Sequence, residues 1–153
     1  MTAKATKPLF LEDLSPGQRF SSASHEVREE EMLAFARQFD PQPFHLDAGA
    51  AKATLFGGLA ASGWYTAAIT MRLNVEGGLP IAGGIIGAGG EISWPKPLRA
   101  GDVIHVESEV IEIAPSRSRP DRGIVTFESR TLNQDGEPVQ VLKPKLVVFR
   151  RPA

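Results

Sequence analysis

An uncharged run of 19 residues, from Ala53 to Met71, constrains the fold of this chain more than any other feature. The run is nearly as long as a segment that crosses a lipid bilayer. However, it contains three glycines and several hydroxyl side chains, and the mean hydropathy of the whole chain is only -0.12. A helix that is apolar on nearly every side is buried. The sequence therefore predicts one long helix covered by the rest of a globular domain, rather than a membrane segment.

The predicted helix opens with small residues. Gly57 and Gly58 stand at its start, and three polar side chains, Ser62, Thr66 and Thr70, recur at intervals of four residues. The first amides of a helix have no partner within the helix, and small side chains leave those amides accessible. The start of this helix is therefore a candidate site for an oxygen atom of a ligand, although close packing alone also favours glycine there.

The second half of the chain predicts antiparallel strands. Four segments have the alternation or the apolar content of strands: EISW, DVIHVESEVIEI, GIVTFESRTL and PVQVLKPKLVVF. The segments NQDGE and APSRSRPDRG have the composition of hairpin loops. Helices followed by an antiparallel sheet indicate an α+β fold with the helices on one face. We place this domain at residues 14–150 and treat residues 1–13 as an N-terminal arm.

An amphipathic helix precedes the long one. We expect it to end at Phe39, because Asp40 precedes Pro41 and that position disfavours the α conformation. Asp47 is placed to cap a short helix over residues 48–53.

Composition and spacing exclude several kinds of site. The chain has no cysteine, so neither a disulfide nor a thiolate metal site is expected. The histidines His25, His45 and His105 lack the spacing of a convergent ligand set, and no metal is expected. The run AGGIIGAGGEISWPKP has isoleucine at the third glycine position of a dinucleotide-binding motif and continues as a strand, so no nucleotide cofactor is expected. We interpret residues 83–90 as a bend that enters this strand.

The net charge and the composition of the first residues indicate which partners and which cellular location to expect. The net charge is -1, which offers no basic surface to a nucleic acid. The first residues lack the apolar core of a secretion signal. We therefore expect a cytoplasmic protein that contacts neither nucleic acid nor membrane.

The stretch FARQFDPQPFHLD carries the strongest chemical signal. Asp40 and His45 are five residues apart, and Pro41 and Pro43 stiffen the backbone between them. A carboxylate and an imidazole held in fixed positions can exchange protons with a substrate, and histidine titrates near neutral pH. The same residues also fit a helix end followed by an ordinary half-buried histidine. The spacing alone leaves both interpretations open.

Three blocks together, FARQFDPQPFHLD, AKATLFGGLAASGW and ISWPKPLRAGDVI, resemble the MaoC-like dehydratase family, relatives of the (R)-specific enoyl-CoA hydratases. The resemblance extends from about Leu14 to Phe149. It implies a single hotdog domain, in which an antiparallel sheet wraps around a long central helix, here about Gly57–Leu73. It also implies a homodimer with active sites at or near the subunit interface.

The resemblance also assigns roles to individual residues. The catalytic aspartate and histidine of the family match Asp40 and His45, and its oxyanion amide matches Gly57, with Gly58 as the neighbouring candidate. Gln42 and Ser62 are the expected substrate-binding residues, and Gln42 replaces the asparagine that the family usually has. The implied reaction is the reversible hydration of a 2-enoyl-CoA to a 3-hydroxyacyl-CoA, without cofactor or metal.

Two other functions fit the same fold. A hotdog thioesterase would use a carboxylate-activated water and the same helix amide, whereas a non-catalytic module would bind acyl-CoA without turnover. Arg117, Arg119 and Arg122 lie in one predicted hairpin loop, where they would either meet the phosphates of CoA or remain solvated. Trp94 and Tyr65 are expected to pack in the core or at an interface.

Overall fold

The helices in the first half of the chain pack on an antiparallel sheet formed mainly by the second half. The computed structural model describes residues 7–153. Its helices are α1 (Glu29–Phe39), α2 (Pro43–Leu46), α3 (Ala48–Ala51) and α4 (Gly63–Leu73), with a short 3-10 turn (Leu11–Asp13) before them and a π-helical turn (Asn74–Gly78) after α4. Its strands are β1 (Arg19–Ser21), β2 (His25–Glu26), β3 (Ile86–Ser93), β4 (Val103–Pro115), β5 (Arg122–Leu132) and β6 (Pro138–Phe149).

All strand pairs are antiparallel. The order across the sheet is β1-β4-β5-β6-β3, and β2 pairs with the start of β4. α4 lies against β4 and β6, and its buried residues Tyr65, Ile69 and Leu73 pack in one cluster with Ile104 and Val106. Tyr65 is therefore a core residue, as expected. An antiparallel sheet with a central helix confirms the predicted α+β hotdog architecture.

The conformational preferences of adjacent residues determine where the first helices begin and end. α1 ends at Phe39, as predicted. Oδ1 of Asp47 accepts hydrogen bonds from the amides of Gly49 (2.8 Å) and Ala50 (3.3 Å), which confirms the predicted cap of the helix that follows. α2 was not predicted from the sequence. Pro43 occupies its first turn, where the missing amide of proline costs no helical hydrogen bond.

The central helix begins at Gly63, so the prediction that it begins at Gly57 is wrong. Ser62 caps the helix, because its Oγ accepts a hydrogen bond from the amide of Trp64 at 3.3 Å. α4 itself has 11 residues. No helix in the described part of the chain, residues 7–153, combines the length and the apolar character that crossing a membrane requires.

Contacts with a later segment keep the residues before α4 out of the helix. The amide of Ala61 donates to the carbonyl of Leu98 at 2.8 Å. The guanidinium of Arg99 donates to the carbonyls of Leu59 (3.1 Å) and Phe56. Because these backbone groups bond to other parts of the molecule, they are not available for helical hydrogen bonds.

β3 begins at Ile86, inside the segment 83–90 that was expected to form a bend, so that prediction is wrong for its second half. A bulge between Gly87 and Gly89 interrupts the pairing of β3 with β6. Gly90 has a φ of 155°, and a Cβ there would lie 2.7 Å from the carbonyl oxygen of Lys143. The strand therefore needs glycine at this position to approach β6.

Part of the predicted N-terminal arm, residues 1–13, bonds to a later segment of the chain. Its residues 1–6 lie outside the described residues. The amide of Leu9 donates to the carbonyl of Pro80 at 2.8 Å, and the carbonyl of Leu9 accepts from the amide of Ala82 at 2.9 Å. Leu9 is therefore hydrogen-bonded to the segment that follows α4, and the domain bounds 14–150 stay a prediction.

Candidate active site

A cavity of about 430 Å³ opens beside the first turn of α4. One wall comes from the chain between α1 and α2, and another comes from the segment that follows β3. The polar lining includes Asp40, His45 and Thr66. The other lining residues are mostly apolar and include Leu55, Phe56, Ala61, Trp64, Trp94, Pro95, Pro97, Leu98 and Val139. A few polar groups in an apolar cleft are the usual composition of a small-molecule site.

A larger depression, of about 550 Å³, lies on the sheet near β1. Its charged side chains are already paired, Arg19 with Glu109 and Arg130 with Glu128. The described residues that line it include neither a histidine nor the start of a helix. The cavity beside α4 is therefore the better candidate for an active site.

Local structure brings Asp40 and His45 together. Asp40 follows the last residue of α1, and His45 lies in the single turn of α2, which Pro43 begins. The chain reverses in this turn, so that Nε2 of His45 lies 3.3 Å from Oδ2 of Asp40. His45 is only 5% exposed, and both residues line the cavity.

A backbone carbonyl determines which ring nitrogen of His45 carries a hydrogen. Nδ1 lies 2.7 Å from the carbonyl oxygen of Ala60, which can only accept. Nδ1 is therefore the donor, and Nε2 of the neutral ring presents a lone pair beside Asp40. Two acceptors then stand next to each other at the cavity wall. A water molecule that donates one hydrogen to each of them satisfies both.

Two side chains hold Asp40 in place. Ser62 Oγ donates to Oδ2 at 2.6 Å, and Gln42 Nε2 donates to Oδ1 at 2.5 Å. Burial by itself raises the pKa of Asp40, but the hydrogen bonds from Ser62 and Gln42, together with the positive charge of the His45 ring when it is protonated, outweigh burial and lower this pKa below its ordinary value. Asp40 is therefore ionised at neutral pH and accepts hydrogen bonds.

Gln42 and Ser62 differ from the expectation that they contact substrate. Neither residue lines the cavity, and both donate to Asp40 instead. Ser62 is fully buried as the N-cap of α4. The side chain of Gln42 reaches back to the carboxylate and not to His45. We therefore assign both residues to the positioning of Asp40.

Replacing Ser62 with alanine should move the acidic limb of the activity profile to higher pH. The variant loses a hydrogen bond that lowers the pKa of Asp40, so this pKa rises. We propose below that the ionised carboxylate is the active form, so activity should be lost at a higher pH on acidification. At neutral pH, poorer positioning should lower kcat/KM by about 10- to 100-fold. The pH profile of kcat/KM measures both effects.

Asp47→Ala is the matched control for Ser62→Ala. It also removes the N-cap of a helix, which costs about 0.5–2 kcal/mol, but Asp47 does not bond to Asp40. The control should therefore leave the acidic limb in place. If the acidic limb of the pH profile of a folded Ser62→Ala variant stays at the pH of the unaltered protein, this hydrogen bond does not lower the pKa of Asp40.

The glycine that lines the cavity is Gly63, and not Gly57 or Gly58. The amide of Gly57 already donates to the carbonyl of Thr54 at 3.0 Å, and neither Gly57 nor Gly58 lines the cavity. The expectation that these two glycines supply an oxyanion site therefore disagrees with the structure. Gly63 lines the cavity as the first residue of α4, and its amide has no acceptor within residues 7–153. Such an amide, at the positive end of a helix, suits a developing negative charge.

Some residues of the site could not be identified from the sequence. Ala60 contributes only its backbone carbonyl, which does not depend on residue type. Arg99 acts at a distance by bonding the carbonyls of the loop before α4. The start of α4, in contrast, has a usable signal, because Ser62 is a preferred N-cap residue directly before Gly63.

The three arginines of the hairpin loop, Arg117, Arg119 and Arg122, lie away from the cavity. The lining of the cavity includes one lysine, Lys96, already paired with Glu137 at 2.7 Å. Arg122 donates to Asp121 at 2.9 Å and stacks over the ring of Phe149, with its guanidinium carbon 5.1 Å from the ring centre. Within residues 7–153, no three His, Asp or Glu side chains converge as ligands of a metal ion.

Comparison with known proteins shows similarity over most of the chain. A family model described as "MaoC like domain" matches residues 13–131. Among solved structures, the chain is similar to the MaoC-like dehydratase from Rhodospirillum rubrum, with 66% identity and a TM-score of 0.93, over 95% of this chain and 99% of that chain.

Two curated proteins are also similar. The uncharacterised protein YdeM of Bacillus subtilis is 34% identical over 142 residues, which cover 91% of this chain and 96% of YdeM. The 3-hydroxybutyryl-CoA dehydratase of Methylorubrum extorquens is 31% identical over 113 residues, which cover 72% of this chain and 69% of that protein. The similarity therefore extends over most of the domain in each case.

Proposed function

Because the chain belongs to the MaoC-like domain family, we propose that it catalyses the reversible addition of water to a 2-enoyl-CoA, giving a 3-hydroxyacyl-CoA. The observation that carries the proposal is the Asp40–His45 pair, 3.3 Å apart, in a cavity that also reaches the start of α4. The similar protein named 3-hydroxybutyryl-CoA dehydratase supports the same chemistry. The reaction requires an acid–base group for water and a donor for the thioester oxygen.

In this proposal the pair activates the water. Nε2 of His45 accepts from it, because Nδ1 is bonded to Ala60, and the ionised Asp40 accepts beside Nε2. The water oxygen then attacks C3 of the enoyl group, and one of its protons passes to the pair. The carboxylate of Asp40 stabilises an imidazolium formed in this way. The pair returns the proton to C2, so the product gains one hydroxyl group and one hydrogen.

The thioester oxygen is proposed to accept from Gly63. Attack at C3 moves the electrons of the double bond towards this oxygen, where negative charge develops. The free amide of Gly63, at the positive end of α4, stabilises that charge. The electrons return to C2 as the proton arrives there. Dehydration follows the same steps in reverse.

Hydration of crotonyl-CoA by the purified protein tests the proposal. The expected result is a loss of the ultraviolet absorbance of the conjugated thioester, with a matching gain of 3-hydroxybutyryl-CoA. Hexenoyl- and octenoyl-CoA extend the test to longer chains. Absence of hydration with all three substrates would overturn the proposal.

The same assay distinguishes the two alternatives. Release of free CoA thiol without hydration would indicate a hotdog thioesterase. Binding of acyl-CoA without either reaction would indicate a non-catalytic module. The use of CoA rather than a carrier protein, and the cytoplasmic location, stay predictions.

We also propose that the protein is a homodimer in which a second copy covers α4 and the free edge of β3. Trp64, Met71 and Val75, on α4 and the turn after it, are 57%, 44% and 63% exposed. β3 is the last strand in the sheet order, and the ring of Trp94, just after it, meets the ring of Trp64. The apolar stripe and the open edge are therefore neighbours, and pairing two copies covers both.

Met71→Arg should convert the proposed dimer to a monomer, because it places a charge in the covered apolar stripe. The mass in solution, measured by light scattering, checks this. Ile111→Arg is the matched control, because Ile111 is 46% exposed on β4, outside the stripe, and this change should leave the mass unaltered. An unaltered protein that is monomeric at micromolar concentration would contradict the proposal.

A further inference from the structure

Trp94 forms a wall of the cavity directly over the first residue of α4. A Cβ on Gly63 would lie 2.6, 2.8 and 2.9 Å from three carbons of the indole ring. The ring of Trp64 meets the indole edge-on, with the ring centres 5.2 Å apart. The indole therefore packs against Gly63, beside the amide to which the proposed function brings the thioester oxygen.

Gln140, on β6, holds this indole from inside the core. Nε1 of Trp94 donates to Oε1 of Gln140 at 3.0 Å, and Gln140 is 0% exposed. The other end of the amide, Nε2, donates to Oγ1 of Thr70 on α4 at 3.2 Å. A buried amide with a partner at both ends has one favourable orientation, so the indole has one fixed partner.

The hydroxyl group of Thr70 determines the direction of these hydrogen bonds. Its Oγ1 donates to the carbonyl of Thr66 at 2.8 Å, so it accepts from its two other neighbours. These neighbours are Nε2 of Gln140 and Oγ1 of Thr131, which is 2.6 Å away. The network therefore links α4 to both β5 and β6.

This network closes the space between α4 and the sheet. Thr66 is the last residue of α4 that lines the cavity. One turn further, Thr70, Thr131 and Gln140 are each 0% exposed and fill the gap. An acyl chain that followed α4 inwards would leave buried donors and acceptors without partners, which is unfavourable.

We propose that Trp94, positioned by Gln140, ends the acyl pocket and restricts the enzyme to short-chain enoyl thioesters. This inference rests on the proposed function and adds the class of substrate. Trp94 contacts the acyl group, whereas Gln140 is a positioning residue that acts through the indole. Crotonyl thioesters fit such a pocket, and octenoyl thioesters do not.

The chain-length preference of Trp94→Ala tests the proposal. The unaltered protein should prefer crotonyl-CoA, and the variant should raise the ratio of kcat/KM for octenoyl-CoA to that for crotonyl-CoA by about tenfold or more. Gln140→Met keeps the length of the side chain and removes its hydrogen bond, so it should raise the ratio by about threefold to tenfold. Gln38→Met, on the exposed side of α1, should leave the ratio unchanged. An unmoved ratio in Trp94→Ala, or an unaltered protein that prefers octenoyl-CoA, overturns the proposal.

A binding measurement separates this inference from the proposed reaction. Trp64 and Trp94 are the two tryptophans of the chain, so Trp64→Phe leaves Trp94 as the only indole fluorophore. Butyryl-CoA, which has no double bond to hydrate, should change this fluorescence and bind about tenfold more tightly than octanoyl-CoA. Calorimetry on the unaltered protein should give the same preference.

The two outcomes are distinguishable. If butyryl-CoA binds more tightly but no enoyl-CoA is hydrated, the proposed reaction is wrong and the chain-length inference stands. If octanoyl-CoA binds equally well or more tightly, or if neither ligand binds, the chain-length inference is wrong, whatever the result of the hydration assay.

Discussion

Changing Asp40 to asparagine should reduce kcat/KM for crotonyl-CoA by about 10²- to 10⁴-fold, with the loss mainly in kcat. Asparagine keeps the shape of the side chain but carries no charge and does not accept a proton at neutral pH. It also places an amide donor opposite either Ser62 or Gln42, both of which donate to the native carboxylate. His45→Gln should have an effect of similar size, because an amide replaces the only imidazole at the cavity wall.

Two substitutions outside the cavity serve as controls for this prediction. Asp47→Asn makes the same change of carboxylate to amide outside the cavity, and asparagine is as good an N-cap as aspartate. His105→Gln makes the same change of imidazole to amide on β4. Both controls should retain activity close to that of the unaltered protein. Near-normal hydration by folded Asp40→Asn and His45→Gln variants would remove the pair from the mechanism.

The lowered pKa of Asp40 also predicts the sign of its effect on stability. A carboxylate whose pKa is lower in the folded state than in the unfolded state stabilises the fold above its unfolded pKa. This contribution is lost as the pH falls through the folded pKa. The Asp40→Asn variant lacks it, so the difference in unfolding free energy between the two proteins should be present at neutral pH and should shrink in acid.

Gly63→Ala should reduce hydration by about 10²- to 10³-fold, the usual cost of losing one oxyanion donor. A Cβ at this position would lie 2.6 to 2.9 Å from the indole of Trp94, so either the indole or the start of α4 must move. Each movement displaces the free amide from the thioester oxygen. Overpacking should also lower the free energy of unfolding by about 1–3 kcal/mol. Steady-state kinetics and denaturant unfolding measure the two effects.

Gly58→Ala is the matched control for Gly63→Ala. Its Cβ would lie 3.4 Å from Nη1 of Arg99, an ordinary contact, and Gly58 does not line the cavity. Activity should therefore stay within about twofold to threefold of that of the unaltered protein. A severe loss in Gly58→Ala together with a fully active Gly63→Ala would return the oxyanion role to the segment that the sequence analysis favoured.

Interactions within a few residues account for what could be predicted of the site. Asp40 precedes a proline, so α1 ends at Phe39, and Asp47 caps the next helix. Between these two points the chain has room for a single turn, and that turn brings His45 to Asp40. The end of α1 and the cap by Asp47 follow from the backbone preferences of adjacent residues, whereas the turn between them was not predicted.

The start of α4 shows where such local rules fail. Gly57 and Gly63 are both small residues that could open a buried helix. The difference between them comes from Arg99, which bonds the carbonyl of Leu59 from 40 residues further along the chain. No local pattern around Gly57 reports this contact, although the N-cap preference of Ser62 favours the later start.

The sequence by itself determined the antiparallel sheet, the buried helix, the end of α1 and the cap by Asp47, because strand alternation, proline and capping preferences act over a few residues. Only the tertiary structure decided that Ser62 holds Asp40, 22 residues away, and that Gln140 holds Trp94, 46 residues away. Partners so distant meet only when the helices pack on one another and on the sheet. Residue types alone do not specify which polar groups that packing brings within hydrogen-bond distance.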